Sequence, residues 1–567
     1  MKKSFLLLFL FITTICNAQV LIYRQLTELQ LSNVFEVSIR KGNSSFQSVI
    51  TYGIPNSESG MVTKVEHLSM FAFEPESGPL DICVKSKNGT ALSEENIELV
   101  NKMYQGVQVT FADNNMYLRV NQPKKQLFVR LKSDKGNPLL LAVDPVKESV
   151  ISPNAKVVRF AASSTPYIQT AQYDRYTVAN DVDVVYIEDG ALIKGTIHTA
   201  SGRSKPLKLM GRGMVIGNGG ILNGSANIPY NAIVLTSGSG NSIEGITVMK
   251  SRHFGMDIGN NGLIDNVKLF GYNFNNDGIV AGTNSRIENT FLKVNDDHIK
   301  LYNNNITVRN CIFYAQTNGG ILQFAWNNVN PGDNCLIENC EVVACEYTYC
   351  GDPALGQGGI ARCFVSLREE ESDGKALLNT TIRNILIQGQ LIRFIGINGY
   401  DYKGIDVSGL VLENIHVINS PSDYNWVYTK SPASPPTYKI NISFKNVVFG
   451  NRAIALSDFK TLGDVTLNFD NAVTPFAGKF TEPYNIPNAV TDVSEKEIRI
   501  KRSENTLMLS AEDLSHIKDV AIYNISGIKV DSIPASEISK EIAIDISNLE
   551  RACYILKTNN QSFKFIK

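Results

Sequence analysis

The stretch "LIDNVKLFGYNFNNDGIVAGTNSRIENTFL" (263–292) contains one short phrase twice, first as LIDNVKL and then as RIENTFL. Each copy runs apolar, polar, Asn, apolar, polar, apolar. Self-similarity at a short, fixed period is typical of repeat proteins. The further copies are SIEGITV (242–248), TVRNCIF (307–313), LIENCEV (336–342), TIRNILI (381–387), VLENIHV (411–417) and SFKNVVF (443–449).

The step between copies indicates the fold. Aligned on the asparagine, or on the glycine of the first copy, the steps are 21, 23, 21, 29, 45, 30 and 32 residues. About twenty residues are too few for a βαβ crossover but sufficient for one coil of a parallel β-helix. The longer steps predict inserted loops, which on a solenoid tend to build the working face. A β-sandwich with accidental similarity is the alternative.

The repeat predicts which residues stack between coils. Ile264, Ile287, Val308 and Ile337 should pile up inside, as should a second column of Val267, Thr290, Cys311 and Cys340. The asparagines should lie at a bend, where an amide side chain tolerates turn geometry and bonds the neighbouring coil. The cysteines at 335, 340, 345 and 350 are too widely spaced for a zinc site, so no metal is predicted. Cys345, Cys350 and Cys363 could form one disulfide, and the sequence does not decide which two of them pair.

The regions outside the repeat predict an all-β chain of several domains. Residues 1–18 have the basic start, apolar run and small residue of a signal peptide. Residues 19–165 alternate like a β-sandwich, 166–485 form the β-helix, and 493–567 form a small C-terminal β-sandwich. The glycines of LKLMGRGMVIGNGG (207–220) predict tight turns, because no βαβ frame surrounds them.

Charge and hydropathy narrow the class of protein. The formal net charge is -1 and no basic stripe is present, which excludes nucleic acid as a predicted partner. Beyond the signal peptide no segment reaches the ~20 apolar residues of a membrane span. We therefore expect a secreted or cell-surface protein without a cofactor.

Three aspartates mark the candidate site. Asp277 lies in NNDGIVAG, and the pair Asp296 and Asp297 lies in VNDDHIKLY. Aligning Ile279 with Ile299 places Asp277 on Asp297 one coil along, at about the 4.8 Å spacing of neighbouring strands. Carboxylates this close repel, so one should stay protonated near neutral pH and supply an acid beside two bases. The non-catalytic alternative for these three aspartates is a calcium site or a solvated acidic turn.

The surroundings favour a sugar ligand. Aromatic faces and amide or ammonium donors suit the C–H face and the hydroxyls of a sugar ring. We expect six residues to contact the substrate, namely Asn276 and Asn295 beside the aspartates, and Lys300, Tyr302, Gln323 and Trp326 around them. For Trp326, core packing is the competing interpretation. His298 could hydrogen-bond Asp297 or simply be exposed.

The stretch from about 270 to 347 resembles glycoside hydrolase family 49, the dextranase and isopullulanase family. Its members join an N-terminal β-sandwich to a right-handed parallel β-helix, the order predicted over residues 20–480. In that family an Asp is followed nineteen residues later by an Asp-Asp pair, as Asp277 is by Asp296. The resemblance implies that Asp296 is the general acid, that Asp277 and Asp297 activate water, and that an α-glucan is cleaved with inversion. Dextran is expected ahead of pullulan.

Two other functions remain open. Polygalacturonases share the aspartates but add a Gly-His-Gly turn one coil on and an Arg-x-Lys, whereas this chain has QTNGGILQF there. A neutral glucan is therefore favoured over a uronate. A non-catalytic polysaccharide-binding surface protein is the last alternative, although adhesion does not require stacked acids.

The last 75 or so residues resemble the C-terminal sorting domain of the type IX secretion pathway of Bacteroidetes. The resemblance lies in DVAIYNISGIKV (519–530) and in DISNLERACYILKTNN (545–560), with Ala552 and Cys553 in place of the usual Gly and aliphatic residue. The resemblance implies a sorting signal that the secretion machinery recognises. From the residues alone, this segment is a small β module.

Overall fold

A computed structural model describes residues 20–470 and 499–566 with internal gaps. The gaps are 43, 57–60, 101–106, 169–174, 218–230, 252, 273–274, 327–328, 348–361, 369–374, 400–403, 430–437, 503–505, 511–519, 525–528, 534–540, 551–552 and 559–561. The predicted signal peptide lies outside the described residues. The chain divides into two compact units, Met1–Asn485 and Ile486–Lys567.

Two sheets form the N-terminal part of the first unit. The first sandwich sheet contains Val20–Ile22, Thr51–Pro55, Val65–Phe73, Ile97–Val100, Lys125–Leu131 and Leu139–Pro145. The second contains Phe35–Lys41, Gln47–Val49, Leu80–Ser86, Val107–Ala112 and Asn115–Val120. Pairing is antiparallel except between Val65–Phe73 and Leu139–Pro145. A 3-10 turn spans Pro75–Ser77.

The rest of the unit is a stack of parallel coils, which confirms the predicted β-helix. The long sheet holds twenty-one strands. They are Val157–Phe160, Tyr167–Ile168, Val184–Ile187, Leu192–Lys194, Lys208–Gly211, Met214–Ile216, Ser242–Glu244, Thr247–Met249, Leu263–Asp265, Lys268–Phe270, Arg286–Glu288, Phe291–Val294, Thr307–Arg309, Ile312–Ala315, Leu336–Cys345, Lys375–Leu378, Thr381–Ile387, Ile405–Val417, Lys439–Phe449, Arg452–Ala453 and Asp464–Asp470. A 3-10 turn spans Leu456–Asp458.

An eleven-stranded parallel sheet completes the coils and is called the site sheet below. Its strands are Arg175–Val178, Thr196–Thr199, Ile233–Leu235, Met256–Ile258, Ile279–Ala281, Ile299–Lys300, Leu322–Ala325, Cys363–Arg368, Arg393–Asn398, Asn425–Tyr428 and Phe459–Leu462. One row of residues lies in register along it, outside the apolar core cluster, and is called the outer row. It runs Asp257, Val280, Lys300, Gln323, Ser366, Gly396, Trp426, Lys460.

The asparagine of each repeat makes the bend between two strands of the long sheet. Asn266, Asn289 and Asn310 all have positive φ, at 57°, 51° and 54°. This left-handed geometry costs most residues about 1–2 kcal/mol, and Asn is among the few that adopt it routinely. The amides also bond from coil to coil, as from Asn310 to Asn289 at 3.3 Å and from Asn414 to Asn384 at 2.7 Å. The predicted asparagine bend is therefore present.

A second asparagine ladder, which the sequence analysis missed, lies at another corner of the coils. Asn261, Asn284 and Asn305 have φ values of 56°, 60° and 60°. Asn305 donates to Asn284 at 2.8 Å, and Asn284 donates to Asn261 at 3.3 Å. Two corners of these coils are thus tied by side-chain amides as well as by the backbone ladder.

The inward columns match the predicted register. Ile264 pairs with Ile287, Ile287 with Val308, and Val308 with Ile337, and all four are fully buried. Cys311 and Cys340 are buried neighbours in the second column. Cys345 is a free thiol, so the structure contradicts a disulfide between Cys345 and Cys363. Cys350 lies outside the described residues.

The glycines of the early coils serve close packing rather than a nucleotide loop. A Cβ at Gly211, where φ is 128°, would lie 2.0 Å from the carbonyl oxygen of Ile187 on the preceding coil. At Gly213 it would lie 2.3 Å from the Ile187 side chain. Only glycine allows the backbones to approach this closely.

The buried core of the sandwich extends over outward-facing residues of the coils, and a second core fills the inside of the coils. The first coil strand is Val157–Phe160, which lies before the predicted boundary at 165 because it pairs in parallel with Val184–Ile187. Phe128 of the sandwich stacks on Phe291 of the coils with ring centroids 6.1 Å apart. Two fully buried ion pairs cross the same junction, Lys268 with Asp144 and Lys293 with Glu66.

The second unit contains two antiparallel sheets. One holds Arg499–Arg502, Thr506–Ser510 and Glu541–Asp545. The other holds Val520–Asn524, Lys529–Ile533, Cys553–Thr558 and Ser562–Ile566. The predicted all-β class extends over this unit, in which the described residues form strands and turns.

Candidate active site

The three aspartates precede two neighbouring strands of the site sheet. Ile279 pairs with Ile299, so Asp277 stacks on Asp297. The Gly278 amide donates to the Asp297 carbonyl at 2.7 Å, which fixes this register by backbone. One oxygen from each of Asp277, Asp296 and Asp297 lies within 4.8 Å of the others. The bend before the strand lets both members of the pair face the same site.

Lys300 joins two of these acids. Its ammonium lies 2.7 Å from Oδ2 of Asp277 and 2.7 Å from Oδ2 of Asp297. All three side chains are at least nine-tenths buried. A cation buried between two carboxylates favours their charged forms and offsets their repulsion. The site therefore supplies its own counter-ion, and a divalent metal bridging Asp277 and Asp297 would have to displace the Lys300 ammonium.

Asp296 is the acid outside this bridge. Asn318 donates from Nδ2 to its Oδ2 at 2.6 Å, and the backbone amide of Asp297 donates to its Oδ1 at 3.0 Å. Burial and, after it, the charge of Asp297 raise the pKa of Asp296 to about 7 against the opposing effects of Lys300 and Asn318. Asp296 can therefore hold or release a proton near neutral pH.

Burial also raises the pKa of Asp277 well above its usual value, with Lys300 opposing and the other two aspartates adding to the rise. Burial is therefore the main cause of the raised pKa values of Asp277 and Asp296, and repulsion from the neighbouring carboxylates is a smaller cause. The nearest-oxygen spacing, within 4.8 Å, is shorter than both the roughly 6.5–9.5 Å typical of inverting carboxyl pairs and the roughly 5–5.5 Å of retaining pairs. Spacing alone does not select the stereochemistry.

Asp297 is held from the next coil. The Gly320 amide donates to its Oδ1 at 2.7 Å. Gly319, with a φ of 67°, packs against the pair so closely that a Cβ would lie 2.4 Å from the Asp296 carbonyl carbon and the Asp297 nitrogen. Glycine is therefore required at position 319 for the coil to reach the aspartates.

His298 is buried beneath the pair, so the interpretation of simple exposure is wrong. It has no exposed surface, and its Nε2 donates to the carbonyl of Tyr314 at 2.9 Å. Burial lowers the pKa of His298 to about 4, so the ring is neutral under ordinary conditions. The imidazole anchors the turn that carries the aspartates.

The predicted binding residues divide into two groups. Gln323 accepts a hydrogen bond from Lys300 at 3.0 Å and another from the Tyr302 hydroxyl, so these three lie together beside the acids. Trp326 is partly exposed just beyond Gln323 at the end of its strand, where its carbonyl accepts from Val329.

Asn276 and Asn295 are fully buried, which corrects their predicted contact with substrate. Asn276 donates to the carbonyl of Ser251 at 3.1 Å, and Asn295 accepts from the amide and hydroxyl of Thr317 at 3.0 and 2.8 Å. Side chains without exposed surface cannot touch a bound ligand. These amides instead tie the aspartate turns to the adjacent coils.

Several neighbours of the site were missed from the sequence. The TNGG segment, one coil beyond the aspartate pair, contains Asn318, Gly319 and Gly320. From this coil the sequence predicted only Gln323 and Trp326 as site residues. Arg362 donates to Asn318 Oδ1 at 3.2 Å. Phe254 lies under Lys300, with the ammonium 5.2 Å from its ring centroid, and His253 stacks on Phe254.

The C-terminal segment matches a known family. Residues 502–567 match the family model of the secretion system C-terminal sorting domain. The predicted sorting domain is thereby confirmed, and the protein is secreted or at the cell surface. Among the residues that the structure describes, no helix combines the length and apolar character needed to cross a bilayer.

The remainder is similar to carbohydrate-active proteins, which confirms the predicted resemblance. The chain is 23% identical over 336 residues to isopullulanase of Aspergillus niger, covering 53% of this chain and 56% of that protein. It is 24% identical over 344 residues to dextranase of Arthrobacter globiformis, covering 55% and 52%. The chain thus spans about half the length of the curated relatives it matches.

The fold is also found in a solved structure. Dex49A from Penicillium minioluteum superposes with a TM-score of 0.63 at 14% identity, covering 79% of this chain and 96% of that one. At this identity the likeness supports the fold alone.

Proposed function

We propose that this protein is a secreted glycoside hydrolase that cleaves α-1,6-glucosidic linkages within dextran, with inversion. The observation that carries the proposal is the cluster of Asp277, Asp296 and Asp297 around one buried ammonium, in a chain similar to proteins named dextranase and isopullulanase. Hydrolysis without a cofactor needs one carboxylic acid and one carboxylate base, and the cluster supplies both.

In this mechanism Asp296 is the general acid. Its pKa of about 7 leaves it largely protonated in mildly acidic solution and partly protonated in neutral solution, so it can protonate the leaving glycosidic oxygen. Asp277 and Asp297 hold and deprotonate the attacking water, while Lys300 pairs with both carboxylates and opposes the rise that burial causes in the pKa of Asp277. The bond from the anomeric carbon to the leaving oxygen breaks as the bond to water forms, and Asp296 regains a proton from solvent.

Tyr302 and Trp326 are proposed to bind the sugar ring next to the acids, while the buried Gln323 holds Lys300 and the Tyr302 hydroxyl in place. The hydroxyl offers a hydrogen bond to a sugar hydroxyl, and the partly exposed indole offers an apolar face. Hydrolysis of pullulan is the second candidate, because one of the relatives is named isopullulanase.

The test is to incubate the secreted protein with dextran, pullulan and polygalacturonate, and to follow product size and anomeric form by NMR. We expect shortening of dextran and initial release of β-configured ends, because inversion at an α-linkage yields a β product. Initial α-configured ends would contradict inversion, and activity on polygalacturonate alone would contradict an α-glucan substrate.

The matched variant is Asp296→Asn, which keeps the side-chain shape but removes the proton donor. Loss of a general acid lowers the rate about 10²–10⁴-fold. We expect kcat to fall by that factor while polymer binding persists. Dextran hydrolysis at the parental rate would refute the assignment of Asp296.

A further inference from the structure

The site sheet carries an exposed aromatic residue far from the aspartates. Tyr424 is 49% exposed and directly precedes the strand Asn425–Tyr428. It borders a surface pocket of about 220 Å³ lined also by Ser422, Arg452 and Ser457. Single exposed aromatic residues are common on protein surfaces. A binding role for Tyr424 therefore depends on the contacts that hold it and on its position along the sheet.

The support under Tyr424 is rigid and buried. Asp423 accepts from the Tyr424 amide at 2.8 Å and from the fully buried Arg393 guanidinium at 2.6 Å. That guanidinium lies 3.7 Å from the ring centroid of Trp426, which is also fully buried. A ring presented on a fixed support loses little conformational freedom when it binds a ligand.

The segment on the other side of Tyr424 is fixed as well. Asn425 accepts from the amides of Phe394 and Ile395 at 2.8 and 3.1 Å, and donates to the carbonyl of Asp458 at 3.1 Å. The loop that presents Tyr424 is thereby tied to the coils before and after it.

The chemistry of the pocket suits a neutral, hydroxyl-rich ligand. Its guanidinium, Arg452, is paired through two nitrogens with Asp458, at 2.8 and 2.5 Å. Asp423 is paired with Arg393. Exposed serine hydroxyls at Ser422 and Ser457 stand beside the tyrosine ring. An aromatic face next to hydroxyl groups, with the acids and guanidiniums already paired, matches a sugar better than an anionic polymer.

The position connects the pocket to the active site. Lys300 and Trp426 belong to the same outer row, four strand steps apart, which is about 19 Å at 4.8 Å per step. The ammonium of Lys460, one step further, lies 5.2 Å from the ring centroid of Tyr424, which precedes the strand one coil back. Lys300 contacts Asp277, which also precedes the strand one coil back, in the same way. Tyr424 therefore lies on the same edge of the site sheet as Asp297.

We infer that Tyr424 and its pocket form a distal subsite that binds a remote sugar residue of the same α-glucan chain held at the aspartates. The inference rests on the proposed function and adds to it the direction in which the polymer lies, along the coil axis toward the C-terminal end of the β-helix. A trisaccharide bound at the aspartates is too short to reach it.

The kinetic test compares a long and a short substrate. In Tyr424→Ala we expect KM for dextran to rise about three- to tenfold with kcat unchanged, and KM for isomaltotriose to stay at the parental value. Tyr424→Phe keeps the ring face and should behave like the parent. Ile168→Ala, at an exposed apolar side chain on the first coil, is the surface control. Equal loss on both substrates, or no loss on dextran, would overturn the inference.

A binding test separates this inference from the proposed catalysis. Affinity electrophoresis of Asp296→Asn through gels containing dextran or pullulan should show retardation that the added Tyr424→Ala change weakens. If the protein hydrolyses neither polymer, Tyr424-dependent retardation still supports the subsite while the proposed function fails. Retardation that does not depend on Tyr424, or none in either gel, overturns the subsite.

Discussion

At the scale of single residues, the site separates one acid from two paired ones. Lys300 bridges Asp277 and Asp297, whereas Asp296 bonds an amide from the next coil. Two neighbouring aspartates of the same sequence motif thus receive different environments. Different environments are what allow like carboxyl groups to serve as acid and base in one reaction.

The Asn318 amide should set the alkaline limit of activity. Its hydrogen bond stabilises the charged form of Asp296 and so lowers a pKa that stands at about 7. Asn318→Ala removes that stabilisation, so the pKa should rise and the general acid should stay protonated to higher pH. We expect the alkaline limb of the kcat/KM profile on dextran to move upward.

The control for this prediction is Asn318→Asp, which places a negative charge beside Asp296 and should move the same limb upward further. A limb that stays in place in Asn318→Ala, or moves to lower pH, would show that Asp296 is not the group titrating there.

At the scale of elements, the asparagine ladder holds the corners of the coils. Asn414 donates to Asn384 at 2.7 Å and accepts from Asn446 at 3.1 Å, with a φ of 51°. Asn414→Ala loses these bonds and puts alanine, which has no side-chain amide to stabilise left-handed geometry, at this position, at a cost of roughly 2–3 kcal/mol. Asn414→Gly keeps the backbone geometry and should lose less. Denaturant unfolding of both variants measures the difference, and equal losses would assign the whole effect to the hydrogen bonds.

The ion pair between Lys293 and Glu66 joins the sandwich to the strand that leads into the aspartate pair. Burial lowers the pKa of Lys293 and raises the pKa of Glu66, and each partner opposes the other's shift. Glu66→Gln leaves an ammonium without its counter-charge, so we expect a loss of about 3–5 kcal/mol in unfolding free energy.

Replacement of both partners, as Glu66→Gln with Lys293→Met, removes the buried charge and should recover most of that stability. Chemical unfolding followed by tryptophan fluorescence would measure each variant. A double variant that is as unstable as the single one would show that packing, rather than charge, dominates at this junction.

The spacing of residues in the sequence correctly predicted the structural features that recur once in every coil. The Asn289 and Asn310 bends, the Ile264 column and the stacking of Asp277 on Asp297 all follow from a period close to one coil. The second asparagine ladder could also have been predicted from the sequence, because Asn261, Asn284 and Asn305 repeat at steps of 23 and 21 residues.

What could not be predicted depends on contacts between coils. Asn276 and Asn295 are as polar as an exposed amide, and only the packing of the next coil decides that they are buried. The Gly320 amide that holds Asp297 is backbone, so its residue type gives no indication of the contact. Asn318 bonds Asp296 across 22 positions of chain. Side-chain direction at a bend does not follow strand alternation.

At the scale of the whole molecule, catalysis and export are expected to separate. The described site lies in the unit Met1–Asn485, and the sorting-domain match lies in the unit Ile486–Lys567. A chain that ends at Asn485 should hydrolyse dextran with the parental kcat/KM when purified from a cytoplasmic expression host.

The same truncation in a type IX-secreting host should abolish export, because the address is removed. Measuring activity in the culture medium and in the cell lysate separates the two effects. A truncated enzyme that is inactive after refolding, or one that is still exported, would refute the division of roles.

The glycine that packs against the paired aspartates limits how this site can change. Since position 319 has no room for even one carbon, any substitution there would push on the peptide that joins Asp296 to Asp297 and on the Asp296 carboxylate. In the proposed mechanism, the gap between acid and base is therefore fixed by the pitch of the solenoid, whereas residues outside this contact can change without altering it.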